Sequence, residues 1–260
     1  MGKVYLVGAG PGAPDLLTLR AARILERADI VFHDALVHAD VLALASHARI
    51  VPVGKRCSQI STDQRFINRN LVEAAQRHEV IVRLKGGDPM LFGRAQEEID
   101  ALTQAGIAYE VVPGVTAALG ASAELGVSLT RRGVSRSVVF ATPRIGKDQD
   151  NDATGWAQAV AAADTAVLYM SRGEAPQLVA ALRAAGLSAD HPAAIVESAS
   201  LPHARQLLCT LEELPARAAL TSSGPALVIL GKVLAGAASA PSTADNSCDA
   251  ATPAIARAAS

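Results

Sequence analysis

One acid, three cations and three glycines share a short stretch of this chain, Arg83-Leu84-Lys85-Gly86-Gly87-Asp88-Pro89-Met90-Leu91-Phe92-Gly93-Arg94. It follows an apolar run, Val80-Ile81-Val82, and precedes a helix-like run over 95–105. Adjacent glycines let the backbone turn sharply and keep side chains out of a ligand's way. Asp88 and Pro89 suit the end of such a turn, and Gly93-Arg94 opens the next element. A strand that ends in a small-residue turn bearing an acid and a base is where open α/β sheets bind ligands.

A second small-residue loop, Gly8-Ala9-Gly10-Pro11-Gly12-Ala13-Pro14-Asp15, joins a strand-like run over 3–7 to an amphipathic run over 16–28. It looks at first like a dinucleotide fingerprint and fails as one. Pro11 removes an N–H from the middle of the loop. Ala13 and Pro14 hold the helix start back from where a pyrophosphate would sit. Such a loop suits a flat apolar or weakly polar ligand better than a phosphate, which argues against NAD.

The elements that must carry these loops alternate between strand-like and helix-like runs, the pattern of an α/β protein. Strands are expected over 3–7, 30–32, 50–53, 80–84, 109–112, 138–141, 165–169, 193–196, 206–210 and 226–230. A helix beginning near Thr62 would place Ile67, Leu71, Ala74 and Ala75 on one face. Another, over 175–185, would stop at Gly186. The polar break over 144–152 suggests two domains, 1–143 and 144–235, followed by an Ala/Ser/Pro/Thr-rich tail over 236–260 expected to be disordered.

Composition narrows the function classes. Half of the 260 residues are apolar, enough for one large core or two small ones. The net charge of −1 without a basic stripe, and an aromatic content of 3%, argue against a nucleic-acid surface. No apolar run reaches the ~18 residues of a membrane span. Met1-Gly2-Lys3 runs into a strand without a signal-peptide pattern, so a cytoplasmic location is expected. Cys57, Cys209 and Cys248 are odd in number and far apart, which fits neither a disulfide framework nor a zinc site.

The segments GAGPGAPDLLTLRA, HDALV, VPVGKR, RLKGGDPMLFGR, VVPGVTAALGASA and LTRRGVSRS occur in the order found in the tetrapyrrole methylase superfamily. VGKR and RLKGGDP together resemble its uroporphyrinogen-III C-methyltransferases, and the likeness runs from about Val4 to about Val233. It implies two α/β domains with a trough between them, a homodimer, S-adenosyl-L-methionine as methyl donor, a tetrapyrrole substrate and no metal. With its first strand at residue 3, the chain is expected to act without the dehydrogenase/chelatase domain of fused sirohaem synthases.

The same resemblance implies site residues. Pro11 would contact the cofactor from the first loop, and Gly86, Gly87 and Asp88 from the second, with Leu91 as an apolar wall. Thr116 and Ala117 would bring backbone groups from a helix start, and Met170 would lie near the methyl group or the adenine. Ala199 stands where relatives commonly have glycine, and Ala226 falls in the last loop. Asp34 occupies the place of a proposed base and Lys55 that of a proposed proton donor, with His33 a rival base by its ordinary pKa. Arg94 and Arg132 are the expected partners of substrate carboxylates, ahead of Arg131 and Arg136, because a planar guanidinium binds carboxylates bidentately.

Overall fold

A computed structural model describes residues 1–54, 64–143, 155–221 and 224–237. Its strands are β1 (Lys3–Gly8), β2 (Ile30–His33), β3 (Arg49–Pro52), β4 (Val80–Lys85), β5 (Tyr109–Val112), β6 (Val138–Ala141), β7 (Thr165–Leu168), β8 (Pro192–Glu197), β9 (Arg205–Thr210) and β10 (Ala226–Gly231). The helices are α1 (Leu19–Glu26), α2 (Ala39–Ala43), α3 (Gln64–Ala75), α4 (Ala95–Gln104), α5 (Ala117–Leu125), α6 (Gly155–Ala162), α7 (Ala175–Ala184) and α8 (Leu214–Ala219). They build two α/β domains, each around a five-stranded sheet.

The first sheet has the order β3-β2-β4-β1-β5, and every neighbouring pair is parallel. Strands buried on both faces should be nearly continuous in apolar residues, and β1 is: Val4, Tyr5, Leu6 and Val7 are all buried. Val4, Leu6, Ile30, Phe32 and Ile81 pack with Ile67 and Leu71 of α3 and Ile99 and Leu102 of α4. Val7, Val31, Val82 and Leu84 pack on the other face with Ile24 and Leu25 of α1 and Val41 of α2. Each such side chain contributes about 1.5–3 kcal/mol when fully buried.

Connections leave adjacent strands β1 and β4 in opposite directions, toward β2 and toward β5. The crevice at that switch point, beyond the carboxyl ends of the strands, is where such sheets take ligands. Both glycine loops open there.

The second sheet has the order β6-β7-β10-β8-β9, parallel only between β6 and β7. One face packs on α6, α7 and α8. The other is covered by α5, whose Ala118, Ala121 and Leu125 meet Val167, Ala194, Val196, Leu227 and Ile229. Burial of Ala118 and Ala121 in this cluster shows that small residues of α5 serve close packing on this sheet.

Two expectations change. Strand β6 hydrogen-bonds to β7, so the chain passes from one sheet to the other between β5 and β6, not at 143/144. The helix expected over 16–28 is divided into a short 3₁₀ turn, Pro14–Leu16, and α1. Thr18 accepts a hydrogen bond from the Ala21 N–H at 3.1 Å, and this cap sets the start of α1 at Leu19. Helix α7 ends as its composition requires: Gly186 has φ +101°, and the Leu187 N–H bonds the Leu182 carbonyl. The tail over 238–260 and the whole polar break over 144–152 lie outside the described residues.

Candidate active site

The two glycine loops meet as a pair. The Gly10 N–H bonds the Gly87 carbonyl at 3.2 Å, and the Gly87 N–H returns a bond to Gly10 at 2.8 Å. A methyl group on Gly8 would lie 2.6 Å from Gly114 and 2.7 Å from the Gly87 carbonyl, so the ends of β1, β4 and β5 converge at backbone contact. Gly87 has φ +65°, where a side chain is strained, and its missing methyl faces Thr116 and Ala117 at about 3.7–3.8 Å. Gly86 is more open, since a methyl there would meet only Leu36, at 3.5 Å.

Asp88 fastens this arrangement. Its Oδ1 accepts from the Met90 N–H at 2.8 Å and its Oδ2 from the Gly114 N–H at 2.9 Å. The carboxylate thus ties the β4 loop to the β5 loop, a role beyond the ligand contact expected from the sequence. Leu91 follows as a half-buried side chain on the same loop.

The second domain closes on these loops. Ala13 donates its N–H to Ser200 Oγ at 3.0 Å, and a methyl on Gly12 would strike Leu201 at 2.9 Å. Pro11 packs over Gly120, with Ala199 close by. Ala199 is buried in the cluster under α5, so what it can offer a ligand is backbone. Ser198 and Ser200, on either side, hold left-handed conformations, and Glu124 of α5 accepts the Ser200 N–H at 2.8 Å. Ala226 opens β10 opposite Glu197, beside the turn in which Ser198 bonds the Pro225 carbonyl.

Tyr169 pins the domains together and carries Met170 to the rim. Its hydroxyl lies 2.6 Å from Thr116 Oγ1 and accepts from the Ala118 N–H at 3.2 Å. Its ring meets Phe92 at 5.0 Å and Phe140 at 6.3 Å, the first contact crossing from the β4 loop. Burial pushes the phenol pKa up, with the Thr116 hydrogen bond opposing. Met170 is 47% exposed and holds φ +54°, neither of which a gap-filling core methionine requires. Left-handed non-glycine residues among those described are Phe92, Arg94, Met170, Ser198 and Ser200, all in these loops. Strain of this kind gathers at functional sites.

Asp34 sits just past β2, and Leu36, two residues on, lies against Gly86. Its Oδ1 accepts from Arg83 Nη2 at 2.5 Å. Behind it lies a buried ionic chain that the sequence reading did not anticipate. Arg83 Nε donates to Glu98 at 2.9 Å, and Lys85 Nζ donates to both oxygens of Glu98 at 3.0 and 2.9 Å. Gln64 adds a hydrogen bond at 3.2 Å. Burial disfavours the Arg83 charge, but Asp34 and Glu98 outweigh it and raise its pKa. Burial and then the Arg83 cation lower the pKa of Lys85, against Glu98. Two cations at alternate positions of β4 were the available signal, since residues i and i+2 share a strand face.

His33 Nδ1 lies 3.0 Å from the Asp34 carbonyl, to which it can only donate. A methyl on Gly54 would collide with Ala35 and Asp34, so the end of β3 packs on the Asp34 loop. Lys55 follows Gly54 and lies outside the described residues. Arg94 is exposed and forks onto Glu97 at 2.6 and 2.7 Å, so the carboxylate it engages is its neighbour's. Arg132 is exposed in a turn closed by the Arg131–Ser135 bridge. Arg136 is exposed beyond that turn, its N–H bonded to Asp164. Among the described residues no three His, Cys, Asp or Glu side chains cluster as metal ligands, and no helix is long and apolar enough to cross a membrane.

The family model for Tetrapyrrole (Corrin/Porphyrin) Methylases matches residues 3–215. The chain belongs to the tetrapyrrole methylase family. A siroheme synthase of Azotobacter vinelandii is 44% identical over 236 residues, covering 90% of this chain and 50% of that protein. An S-adenosyl-L-methionine-dependent uroporphyrinogen III methyltransferase of Arabidopsis thaliana is 44% identical over 238 residues, 90% of this chain and 64% of its own length. This tetrapyrrole methylase therefore spans about half the length of the siroheme synthase it matches. Among solved structures, a uroporphyrin-III C-methyl transferase of Thermus thermophilus complexed with S-adenyl homocysteine is 40% identical. It superposes with a TM-score of 0.79 over 90% of this chain and 99% of its own.

Proposed function

We propose that this protein transfers methyl groups from S-adenosylmethionine to carbons 2 and 7 of uroporphyrinogen III. The products would be precorrin-2 and two molecules of S-adenosylhomocysteine. The observation that carries the reading is the Gly10–Gly87 loop pair meeting Thr116 and Ala117 at the start of α5. A Gly86 flanked only by Leu36, backbone groups at Gly87, Thr116 and Ala117, and the apolar Leu91 and Met170 fit a nucleoside with a sulfur-bearing chain. Likeness to the Thermus enzyme over nearly its whole length supports the same assignment.

When bound, the donor supplies a methyl carbon made electrophilic by a sulfonium. The protein's own work is alignment, exclusion of water and removal of one proton. Alignment of two reactants can lower a barrier by about 7–11 kcal/mol. Pro11, Gly86, Gly87, Asp88, Leu91, Thr116, Ala117, Met170, Ala199 and Ala226 would hold the donor. Asp34 would accept the proton released as the methylated ring rearranges, and Lys55 would return one. Arg94, by exchanging Glu97 for substrate, and Arg132 would meet the carboxylates of the macrocycle.

We place the protein in the cytoplasm as a homodimer, with a product that feeds sirohaem and cobalamin synthesis. The test is incubation of purified protein with uroporphyrinogen III and methyl-labelled donor. Two labels per macrocycle are expected. Absence of labelled product, or labelling only of an already methylated precorrin, would overturn the substrate assignment.

A further inference from the structure

Strand β4 lies inside a parallel sheet, between β2 and β1, where apolar side chains are expected. It instead points Arg83 and Lys85 to the face covered by α3 and α4, where each is 2% exposed and Glu98 is fully buried. Taking ions out of water costs several kcal/mol apiece, and apolar replacements often serve stability as well or better. Stability therefore does not account for this cluster; geometry does. Glu98 holds Arg83 by Nε, and the Leu84 carbonyl holds it by Nη1 at 3.1 Å. With two of its nitrogens fixed from inside the domain, Arg83 has one direction left for Nη2, and there it meets Asp34.

We propose that Arg83, anchored by Glu98, is a positioning residue that fixes the Asp34 carboxylate at the site. The proposal rests on the functional reading of Asp34 given above. Arg83 holds one oxygen, Oδ1, and the Asp34 side chain is 31% exposed, against 3%, 2% and 0% for Arg83, Lys85 and Glu98, so of these four it is the one that reaches the surface. A lysine could not replace Arg83, because one ammonium cannot span Glu98, the Leu84 carbonyl and Asp34 as a planar fork does.

Arg83→Met removes the fork yet leaves Glu98 balanced by Lys85, so the interior keeps no unpaired charge. Turnover with uroporphyrinogen III should fall about a hundredfold, the scale of a misplaced catalytic group. The tetrapyrrole KM and S-adenosylhomocysteine affinity should stay within about twofold of the unaltered protein. The deciding measurement is the cycle with Asp34→Asn. A residue that acts only through Asp34 adds nothing once that carboxylate is gone, so the double variant should be no slower than Asp34→Asn alone. Should Arg83→Met fail to fold, Arg83→Gln, which retains a donor for Glu98, completes the same cycle. Losses that multiply in the double variant, or unchanged kcat in the single one, overturn the proposal. Lack of turnover by the unaltered protein instead overturns the functional reading. Near-normal turnover by Asp34→Asn removes the assigned role of Asp34 and the proposal with it.

Discussion

Adding one methyl at Gly8 should damage both the fold and the cofactor site. The new carbon would lie 2.6 Å from the Gly114 backbone and 2.7 Å from the Gly87 carbonyl, about 1 Å inside ordinary contact. Those neighbours are main chain at the ends of β4 and β5, so no side chain can swing aside. Overpacking of this kind costs about 1–3 kcal/mol. The shift would also strain the two Gly10–Gly87 hydrogen bonds, each worth about 1 kcal/mol. A total near 3 kcal/mol corresponds to a fall in Tm of about 6–12 °C at this chain length. Because the same movement parts the two glycine loops, S-adenosylhomocysteine affinity should drop at least about tenfold, or ~1.4 kcal/mol. Calorimetric melting and titration of Gly8→Ala would measure both, with Gly173→Ala as control, since nothing lies within 4 Å of a methyl at Gly173. A Gly8→Ala protein that melts and binds like the unaltered one would refute the convergence of β1, β4 and β5.

Other expectations follow from single contacts. Tyr169→Phe keeps the ring against Phe92 and Phe140 but leaves Thr116 Oγ1 and the Ala118 N–H without their partner; a stability loss of about 1–3 kcal/mol is expected by denaturant titration. Arg94→Ala removes an exposed pair with Glu97 worth about 0.5 kcal/mol or less. If Arg94 meets substrate, its KM for the tetrapyrrole should rise while S-adenosylhomocysteine binding stays unchanged; equal losses for both ligands would assign it a structural role. Burial pushes the Cys209 thiol up to about 11 from 9.0. Its folded pKa being the higher one, its contribution to stability is complete below pH 9 and is lost as pH rises toward 11. Peptide mapping after iodoacetamide treatment at pH 8 should find Cys209 protected until the protein is unfolded in guanidinium.

The strands were legible because each is an apolar run between breakers, and all ten appear where such runs stand. Sheet membership was not, because pairing is non-local. Nothing in Val138-Val139-Phe140-Ala141 says that its partner is β7, twenty-seven residues on, while the polar break over 144–152 drew the expected boundary past it. The glycine loops were readable through their small residues, which have few alternative uses. Tyr169 was hidden by its neighbour: Met170 drew the assignment, while the tyrosine hydroxyl holds the start of α5 and its ring meets Phe92 of the β4 loop. Arg83, Lys85 and Glu98 were hidden for another reason. Arg83 lies fifteen positions before Glu98, and only the return of α4 over β4 brings them together. The alternation of charge along a strand otherwise apolar was nonetheless a readable irregularity, and such irregularities mark functional positions.

A crystal structure of the protein grown with S-adenosylhomocysteine tests the central claim most directly. The account predicts the nucleoside in the crevice between the domains, against Pro11 and Gly86 to Asp88, with its sulfur near Met170 and open toward Asp34. Density for the nucleoside at any other surface, or binding that leaves those loops untouched, would contradict it.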